Sequence, residues 1–351
     1  MNRFSSFSIH ALAAMGVLLL TALTAARAEG LTLTHAVGYH SDSGVMHALA
    51  EEFERSHREH SGQDVSVKVV FSTLEEQLQQ LQDGTLRPDV ISTAGRSAMD
   101  VIAEQLGLIP GNWDDLLPNS AAPYATAVVL MVRPGNPLNI RDWDDLARAD
   151  VALVASSPRS SGFARSVYVN LCYYAWLRYD GDDEQIREFL RRVYDPSVVL
   201  TENGAASLLA FESGSGDVMP IWECEMLRRL ALGDDEPGEY VVMPTSIMNW
   251  PRLAIIPGHA RDHGVEELAH EYINFIYSEA GQQVVASHYM RPSHHSVLHE
   301  HEARYFTSLP VNSTLASEIY DSVSHDFEDG GWFDLHLKSI NKQERPAVRT
   351  Q

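Results

Sequence analysis

Residues 64–93 read DVSVKVVFSTLEEQLQQLQDGTLRPDVIST, and this segment is the strongest indication of the fold class. DVSVKVVFS predicts a strand, LEEQLQQLQDG a helix closed by Gly84, and PDVIST a further short strand. Two strands joined through a helix are the unit from which parallel, helix-flanked sheets are built. The segment therefore predicts an α/β protein.

The residues before this segment extend the same pattern. Leu31–Val37 alternates like a strand, and Val45, Leu49 and Phe53 follow at helical spacing. The β-α-β-α-β order predicts a parallel sheet, which binds ligands where strands end and helices begin. Two such junctions carry polar side chains: His40, Ser41, Ser72 and Thr73.

Two long β-rich runs, at 124–137 and 240–258, enclose a middle α/β block. We interpret them as crossover strands that join two lobes, and the length of 351 residues is sufficient for two domains. The prediction is a first lobe of residues 29–124 and 246–351 and a second lobe of residues 125–245. A cleft between the lobes is a favoured position for a ligand.

The first 28 residues have the pattern of a secretory signal peptide. Arg3 precedes an apolar stretch over residues 11–23, and residues 26–28 form an A-x-A cleavage site. The apolar stretch is short for a membrane anchor, which is the alternative. We expect a soluble protein that is exported to the periplasm.

The formal net charge is −22 at pH 7. Such an acidic chain excludes nucleic acid as a partner, because nucleic-acid binding needs a basic stripe. Its surface also repels small anions at long range, so an anion must be held by local, neutral donors in a buried cleft.

Two cysteines, Cys172 and Cys224, are present. An exported protein can form a disulfide, but only thiols at a suitable distance and orientation can join. The sequence leaves both states open, a disulfide or two buried free thiols.

Residues 157–169, SPRSSGFARSVYV, place two hydroxyls and a glycine before an apolar run. The run predicts a helix with Ser160 or Ser161 as its N-cap and Gly162 in a tight turn. A helix start carries unpaired N–H groups and partial positive charge, so it can hold an anion. A helix that only caps itself is the alternative.

Several segments resemble the periplasmic sulfate- and thiosulfate-binding proteins of ABC importers. They are residues 112–146, SPRSSGFAR at 157–165, GDVMPIWECE at 216–225, YMRP at 289–292 and HDFEDGGWFD at 325–334. The resemblance implies the two-lobed periplasmic binding protein fold, type II-like, with parallel-rich sheets flanked by helices and a ligand cleft between the lobes. It also implies a monomer without a cofactor that captures sulfate or thiosulfate by neutral donors and delivers it to a membrane ABC permease.

The resemblance further implies site residues. Ser161 matches a family serine that donates its hydroxyl, and Gly162 matches the next residue, which donates its N–H. Phe163 stands where the family has a second glycine; its N–H can still donate, and its ring would favour a ligand with an apolar tail. Ser207 lies near a small family residue at a helix start. Trp222 matches a tryptophan whose indole N–H points at the anion, and a core aromatic is the alternative there.

Two loops depart from the family pattern. Where the family has Ser-Tyr-Asp in its first loop, this chain has GYH at 38–40. Where the family has a glycine-rich second loop, this chain has VVFSTLEEQ, in which Ser72 and Thr73 are the nearest hydroxyls. With His40 or Ser41 they would complete the site from the first lobe. An all-donor site suits sulfate, whereas phosphate keeps a proton and needs an acceptor. A neutral His40 in the cleft would offer an acceptor nitrogen, so the alternative ligand is another oxyanion or an organic sulfonate or phosphonate. The alternative for His40 itself is a position beside the cleft, facing solvent.

Two other classes of function are alternatives without a matching motif. ESGSGD at 212–217 is not G-x-S-x-G, because Ser213 replaces the first glycine, so we expect no enzyme. A metal-binding protein would use the histidines near the C-terminus, but they lack H-E-x-x-H spacing. These histidines are His288, His294, His295, His299 and His301.

Overall fold

The computed structural model describes residues 30–38, 43–195, 197–233, 239–305, 326, 331–333 and 335–336. The predictions for residues 1–28 and for His40 and Ser41 lie outside this part of the chain. No helix of the described residues is both long and apolar enough to cross a membrane.

Strands and helices alternate along most of the described chain. The strands are β1 (Leu31–Val37), β2 (Val65–Phe71), β3 (Val90–Thr93), β4 (Tyr124–Val132), β5 (Val154–Ser156), β6 (Val199–Thr201), β7 (Val218–Trp222), β8 (Glu239–Val241), β9 (Met248–Asn249), β10 (Arg252–Ile255) and β11 (Arg291–Pro292). The helices are α1 (Ser43–Ser61), α2 (Leu74–Asp83), α3 (Arg96–Asp100), α4 (Pro118–Ala121), α5 (Gly162–Arg178), α6 (Asp183–Val193), α7 (Gly204–Glu212), α8 (Glu223–Leu232), α9 (Pro257–Asp262), α10 (Glu266–Tyr277), α11 (Glu279–Ser287) and α12 (His295–His301). A π-helical turn continues α3, and short 3₁₀ turns lie at Trp113–Asp115, Trp143–Ala147 and Glu302–Arg304.

The first sheet has the strand order β10-β3-β1-β2. Strand β1 runs parallel to both β2 and β3, as predicted, and β10 adds an antiparallel edge beside β3. Helix α1 covers this sheet with Val45, Leu49 and Phe53, each at most 4% exposed. Burial of each such side chain contributes about 1.5–3 kcal/mol to stability. The sheet thus combines strands from the start of the chain with β10 from much later, and the lobe boundaries stay a prediction.

The second sheet is built around β4, which is buried along its whole length. Strands β7, β8, β9 and β11 all pair with β4 in the antiparallel sense. The parallel pair β5–β6 adjoins β7 through a bridge between Leu153 and Val218.

The two long β-rich runs of the sequence behave differently. The first is the single strand β4, whereas the second is divided into β8, β9 and β10. Strands β8 and β9 pair in the second sheet and β10 pairs in the first. Trp250 and Pro251, between β9 and β10, therefore carry the chain from one sheet to the other.

Cys172 in α5 and Cys224 in α8 are both buried, and no disulfide joins them. Burial raises the pKa of the Cys172 thiol, so this group stays protonated. Of the two states that the sequence left open, the structure contains the buried thiols.

Candidate functional site

A cleft of about 950 Å³ lies where elements of the two sheets meet. The first sheet contributes the residues after β3, Ala94–Ala98, and Arg252 of β10. The second sheet contributes the end of β7, Met219–Trp222, and strand β9. The first residues of α5 and α7 also line the cleft, so it lies where strands end and helices begin, as predicted.

The start of α5 presents the predicted anion-binding motif to this cleft. Ser161 is the N-cap, and its hydroxyl accepts a hydrogen bond from the N–H of Ala164 at 3.3 Å. The N–H groups of Gly162 and Phe163 have no backbone acceptor among the described residues. A Cβ at Gly162 would meet nothing within 4 Å, and its φ is not positive, so the tight turn predicted there is not what requires glycine. The missing side chain instead leaves this helix start open.

The ring of Phe163 packs against Trp222 rather than lying free in the cleft. The two ring centroids are 4.7 Å apart at an interplanar angle of 63°, an edge-to-face contact. Trp222 ends β7 and is 4% exposed, and its indole N–H is buried without an acceptor among the described residues. The contact places an unpaired donor beside the first turn of α5.

A second helix start, that of α7, lines the cleft at residues other than the one predicted. Asn203 caps this helix by accepting a hydrogen bond from the N–H of Ala206 at 3.0 Å, and Gly204 and Ala205 face the cleft with it. Ser207 is not among the residues that line the cleft; its hydroxyl is 2.6 Å from the hydroxyl of Thr201. An asparagine directly before a glycine is the sequence signal that could have located this start.

The hydroxyls of Ser72 and Thr73, which are predicted to complete the site from the second loop, differ in their surroundings. Thr73 lines the cleft, but it caps α2: its hydroxyl accepts from the N–H of Glu76 at 3.2 Å and donates to the Glu76 carboxylate at 3.0 Å. The backbone N–H of Thr73 also donates to that carboxylate. The hydroxyl of Ser72 is buried without a partner among the described residues, and Ser72 does not line the cleft.

Arginines give the cleft a positive wall, which the sequence argument for neutral donors missed. Six arginines and two glutamates line it: Arg96, Arg159, Arg165, Arg228, Arg229, Arg252, Glu75 and Glu225. Arg96 pairs with Asp114 at 2.5 Å, and Arg229 pairs with Glu212 at 2.6 Å. A cleft with this composition attracts anions locally although the whole chain is acidic.

Glu225, in this wall, is an unusually weak acid for a carboxyl group. Burial raises its pKa to about 7, and Arg228 and Arg229 partly oppose that shift. The group therefore changes its charge near neutral pH, within the cleft.

The described residues do not build a metal site. His299 contacts Glu302 at 3.2 Å, and His301 contacts the side-chain amide of Gln283 at 2.8 Å. No three His, Cys, Asp or Glu side chains in the described ranges are grouped so that they could hold a metal ion. The histidine-based metal site has no support in this part of the chain.

Comparison with known proteins identifies relatives along most of the chain. The family model of the bacterial extracellular solute-binding proteins matches residues 37–291. The sulfate-binding protein of Escherichia coli (strain K12) is 30% identical over 324 residues, which cover 91% of this chain and 97% of that protein. The thiosulfate-binding protein of Pseudomonas aeruginosa is 29% identical over 286 residues, which cover 80% of this chain and 85% of that protein.

A solved structure shares the fold. The sulfate-binding protein SubI from Mycobacterium tuberculosis H37Rv has a TM-score of 0.70 at 22% identity, and the match covers 85% of this chain and all of that chain. This likeness confirms the predicted two-lobed periplasmic binding protein fold, with helices on sheets that contain parallel strands. The chain belongs to the bacterial extracellular solute-binding proteins, within the family of the sulfate- and thiosulfate-binding proteins.

Proposed function

We propose that this protein binds sulfate or thiosulfate in the cleft and delivers it to a membrane ABC permease. The observation that carries the proposal is the indole N–H of Trp222, which is buried without an acceptor beside the open start of α5. A buried polar group without a partner costs about 1–3 kcal/mol, which a bound oxyanion would recover. The relatives are named sulfate- and thiosulfate-binding proteins, which agrees with this ligand class.

The remaining donors fit the same ligand. The N–H groups of Gly162 and Phe163 and the start of α7 at Gly204 and Ala205 offer several donors along one wall. Sulfate carries no proton at neutral pH and can accept from each of them, whereas phosphate keeps a proton that needs an acceptor. These backbone and indole donors favour sulfate and thiosulfate.

The transport role requires export to the periplasm and closure of the two lobes around the anion. The leader at residues 1–28 would direct the chain to the periplasm, where it acts as a monomer without a cofactor and catalyses no reaction. The cleft is lined by both sheets, so an anion that contacts both walls would draw the lobes together. A permease could then distinguish the closed, loaded form from the open form.

Calorimetric titration of the purified protein with sulfate, thiosulfate and phosphate tests the proposal. Sulfate or thiosulfate should bind more tightly than phosphate. Trp222→Phe should weaken sulfate binding about 10- to 100-fold, because a hydrogen bond to a charged group is lost.

Trp176→Phe is the matched control, since Trp176 is exposed on α5 and does not line the cleft. It should leave the affinity unchanged. A folded wild-type protein that binds none of the three anions would refute the proposal.

A further inference from the structure

Arg252 is a buried cation in the wall of the cleft. It begins β10, pairs across to Thr93 of β3, and is only 8% exposed. Its Nη1 donates to the backbone carbonyl oxygens of Asn119 at 3.4 Å and Ser120 at 3.0 Å. Its Nε is buried and has no acceptor among the described residues. Two carbonyl dipoles therefore satisfy only part of this guanidinium.

No carboxylate in the described part of the chain lies within salt-bridge distance of Arg252, and Asp114 and Asp100 favour its charge only from farther away. Arg96 lies close enough to disfavour the charge on Arg252, and it forms its own ion pair with Asp114. Tyr277 is near as well, but burial raises the pKa of its phenol, so it stays neutral and provides no counter-charge. An unpaired buried charge is costly, and an anion in the cleft is the partner that would relieve it.

Arg252 and Trp222 belong to different sides of the cleft. Arg252 is held by the first sheet, whereas Trp222 ends β7 of the second. Trp250, on the connection between the sheets, adds another buried indole N–H without an acceptor among the described residues. Phe163, Ile247 and Met248 give the same cleft an apolar surface. Donors at both sides with apolar wall residues between them suit an organic anion as well as a bare tetrahedral one.

We propose that Arg252 is a second anion-binding point and that the cleft takes organic sulfonates that carry a carboxylate at their other end. This inference rests on the proposed oxyanion binding, because the sulfonate takes the place of sulfate at α5 and Trp222. The carboxylate pairs with Arg252, whose planar guanidinium matches a carboxylate. The carbon chain between the two groups lies against the apolar wall.

Titration with two sulfonates of equal carbon number tests this assignment. 3-Sulfopropanoate should bind at least about tenfold more tightly than propane-1-sulfonate, because only the former has a carboxylate for a charge-assisted hydrogen bond. In Arg252→Gln the two ligands should bind within about threefold of each other, and sulfate should lose less affinity than 3-sulfopropanoate does. Arg252→Lys, which keeps the charge, should recover part of the preference.

Arg87→Gln is the control for net charge. Arg87 is exposed, pairs with Asp262 at 2.5 Å and does not line the cleft, so this variant should keep the full preference. Thermal melting of each variant shows whether it is folded. Should Arg252→Gln not fold, Arg252→Lys and the wild-type comparison of the two sulfonates decide.

The contradicting outcomes separate the two proposals. If sulfate and propane-1-sulfonate bind and the carboxylate adds nothing, the inference about Arg252 is wrong and the proposed function stands. If Arg252→Gln weakens sulfate as much as 3-sulfopropanoate, Arg252 contacts the same oxyanion as Trp222 and there is no second point. If the wild-type protein binds no sulfate and no sulfonate, the proposed oxyanion function itself fails.

Discussion

Trp222 and Glu225 lie three positions apart, and both line the cleft, but they act on an anion in opposite ways. The indole N–H of Trp222 is a donor at every pH. The carboxyl of Glu225 can donate only while it is protonated, and it repels an anion once it is ionised. Because burial raises the pKa of Glu225 to about 7, the balance between these effects changes near neutral pH.

Anion affinity should therefore fall several-fold between pH 6 and pH 8. Glu225 is largely neutral below its pKa of about 7 and largely charged above it, so the repulsion grows as the pH rises. Calorimetry across this range measures the effect, and buffers of different ionisation enthalpy should reveal proton uptake on binding near pH 7. Glu225→Gln should abolish the pH dependence. An equally steep profile in that variant would assign the titration to another group.

Helix starts are the elements that form this site, and they do not contribute equally. The starts of α5 and α7 are open toward the cleft, with small residues at Gly162, Gly204 and Ala205. The start of α2 is closed by the capping box between Thr73 and Glu76, whose carboxylate already occupies the place of an anion. The site therefore depends on α5 and α7 more than on α2.

Thr73→Ala should separate stability from binding at the start of α2. Loss of the cap should lower the free energy of unfolding by about 1 kcal/mol. Sulfate affinity should stay within about twofold, because the Thr73 hydroxyl is engaged with Glu76 rather than with a ligand. Denaturant unfolding and calorimetry on the same samples measure both quantities. A large loss of affinity at unchanged stability would restore Thr73 as a ligand-binding residue.

Local patterns predict these elements well and their contacts less well. The parallel strands at the start of the chain and an N-cap at Ser160 or Ser161 follow from short patterns, and the structure has the cap at Ser161. The T-x-x-E spacing at 73–76 contains the capping box of α2. The resemblance implies that Ser207 lies near a helix start, whereas α7 begins at Gly204 with Asn203 as its cap. A cap residue is defined by backbone angles that a sequence does not contain. Arg252 could not be predicted as a cleft residue, since its position depends on β10 pairing with a strand far away in the sequence.

The net charge of the protein and its stability in acid have separate sources. The chain carries −22, yet its cleft has more arginines than carboxylates, so the acidic residues lie mainly elsewhere. Acid sensitivity should arise in part from His35, which is fully buried in β1. Its ring nitrogens contact the hydroxyl of Ser92 at 2.6 Å and that of Tyr272 at 3.2 Å.

His35 should make the free energy of unfolding fall as the pH decreases from about 6.5 toward 3. Burial lowers the pKa of His35 to about 3 in the folded protein, whereas the unfolded chain takes up a proton near 6.5. Below pH 6.5 the unfolded state therefore gains protons that the native state does not, at a cost of up to about 1.4 kcal/mol per pH unit.

Denaturant unfolding at pH 7 and pH 4.5 measures this loss, which should be about 2–3 kcal/mol from His35 alone. His35→Gln, compared at the same two pH values, should show a correspondingly smaller loss. If the variant loses as much stability as the wild-type protein, His35 does not govern the acid response.

An oxyanion in this cleft should accept a hydrogen bond from Trp222, and indole N–H resonances report that bond directly. The chain has six tryptophans, and a ¹⁵N–¹H spectrum with Trp222→Phe as a reference assigns the signal of Trp222. Addition of sulfate should move this signal strongly downfield and leave that of exposed Trp176 in place. If sulfate binds by calorimetry and the Trp222 signal does not move, the anion lies elsewhere and Trp222 is not part of the binding site.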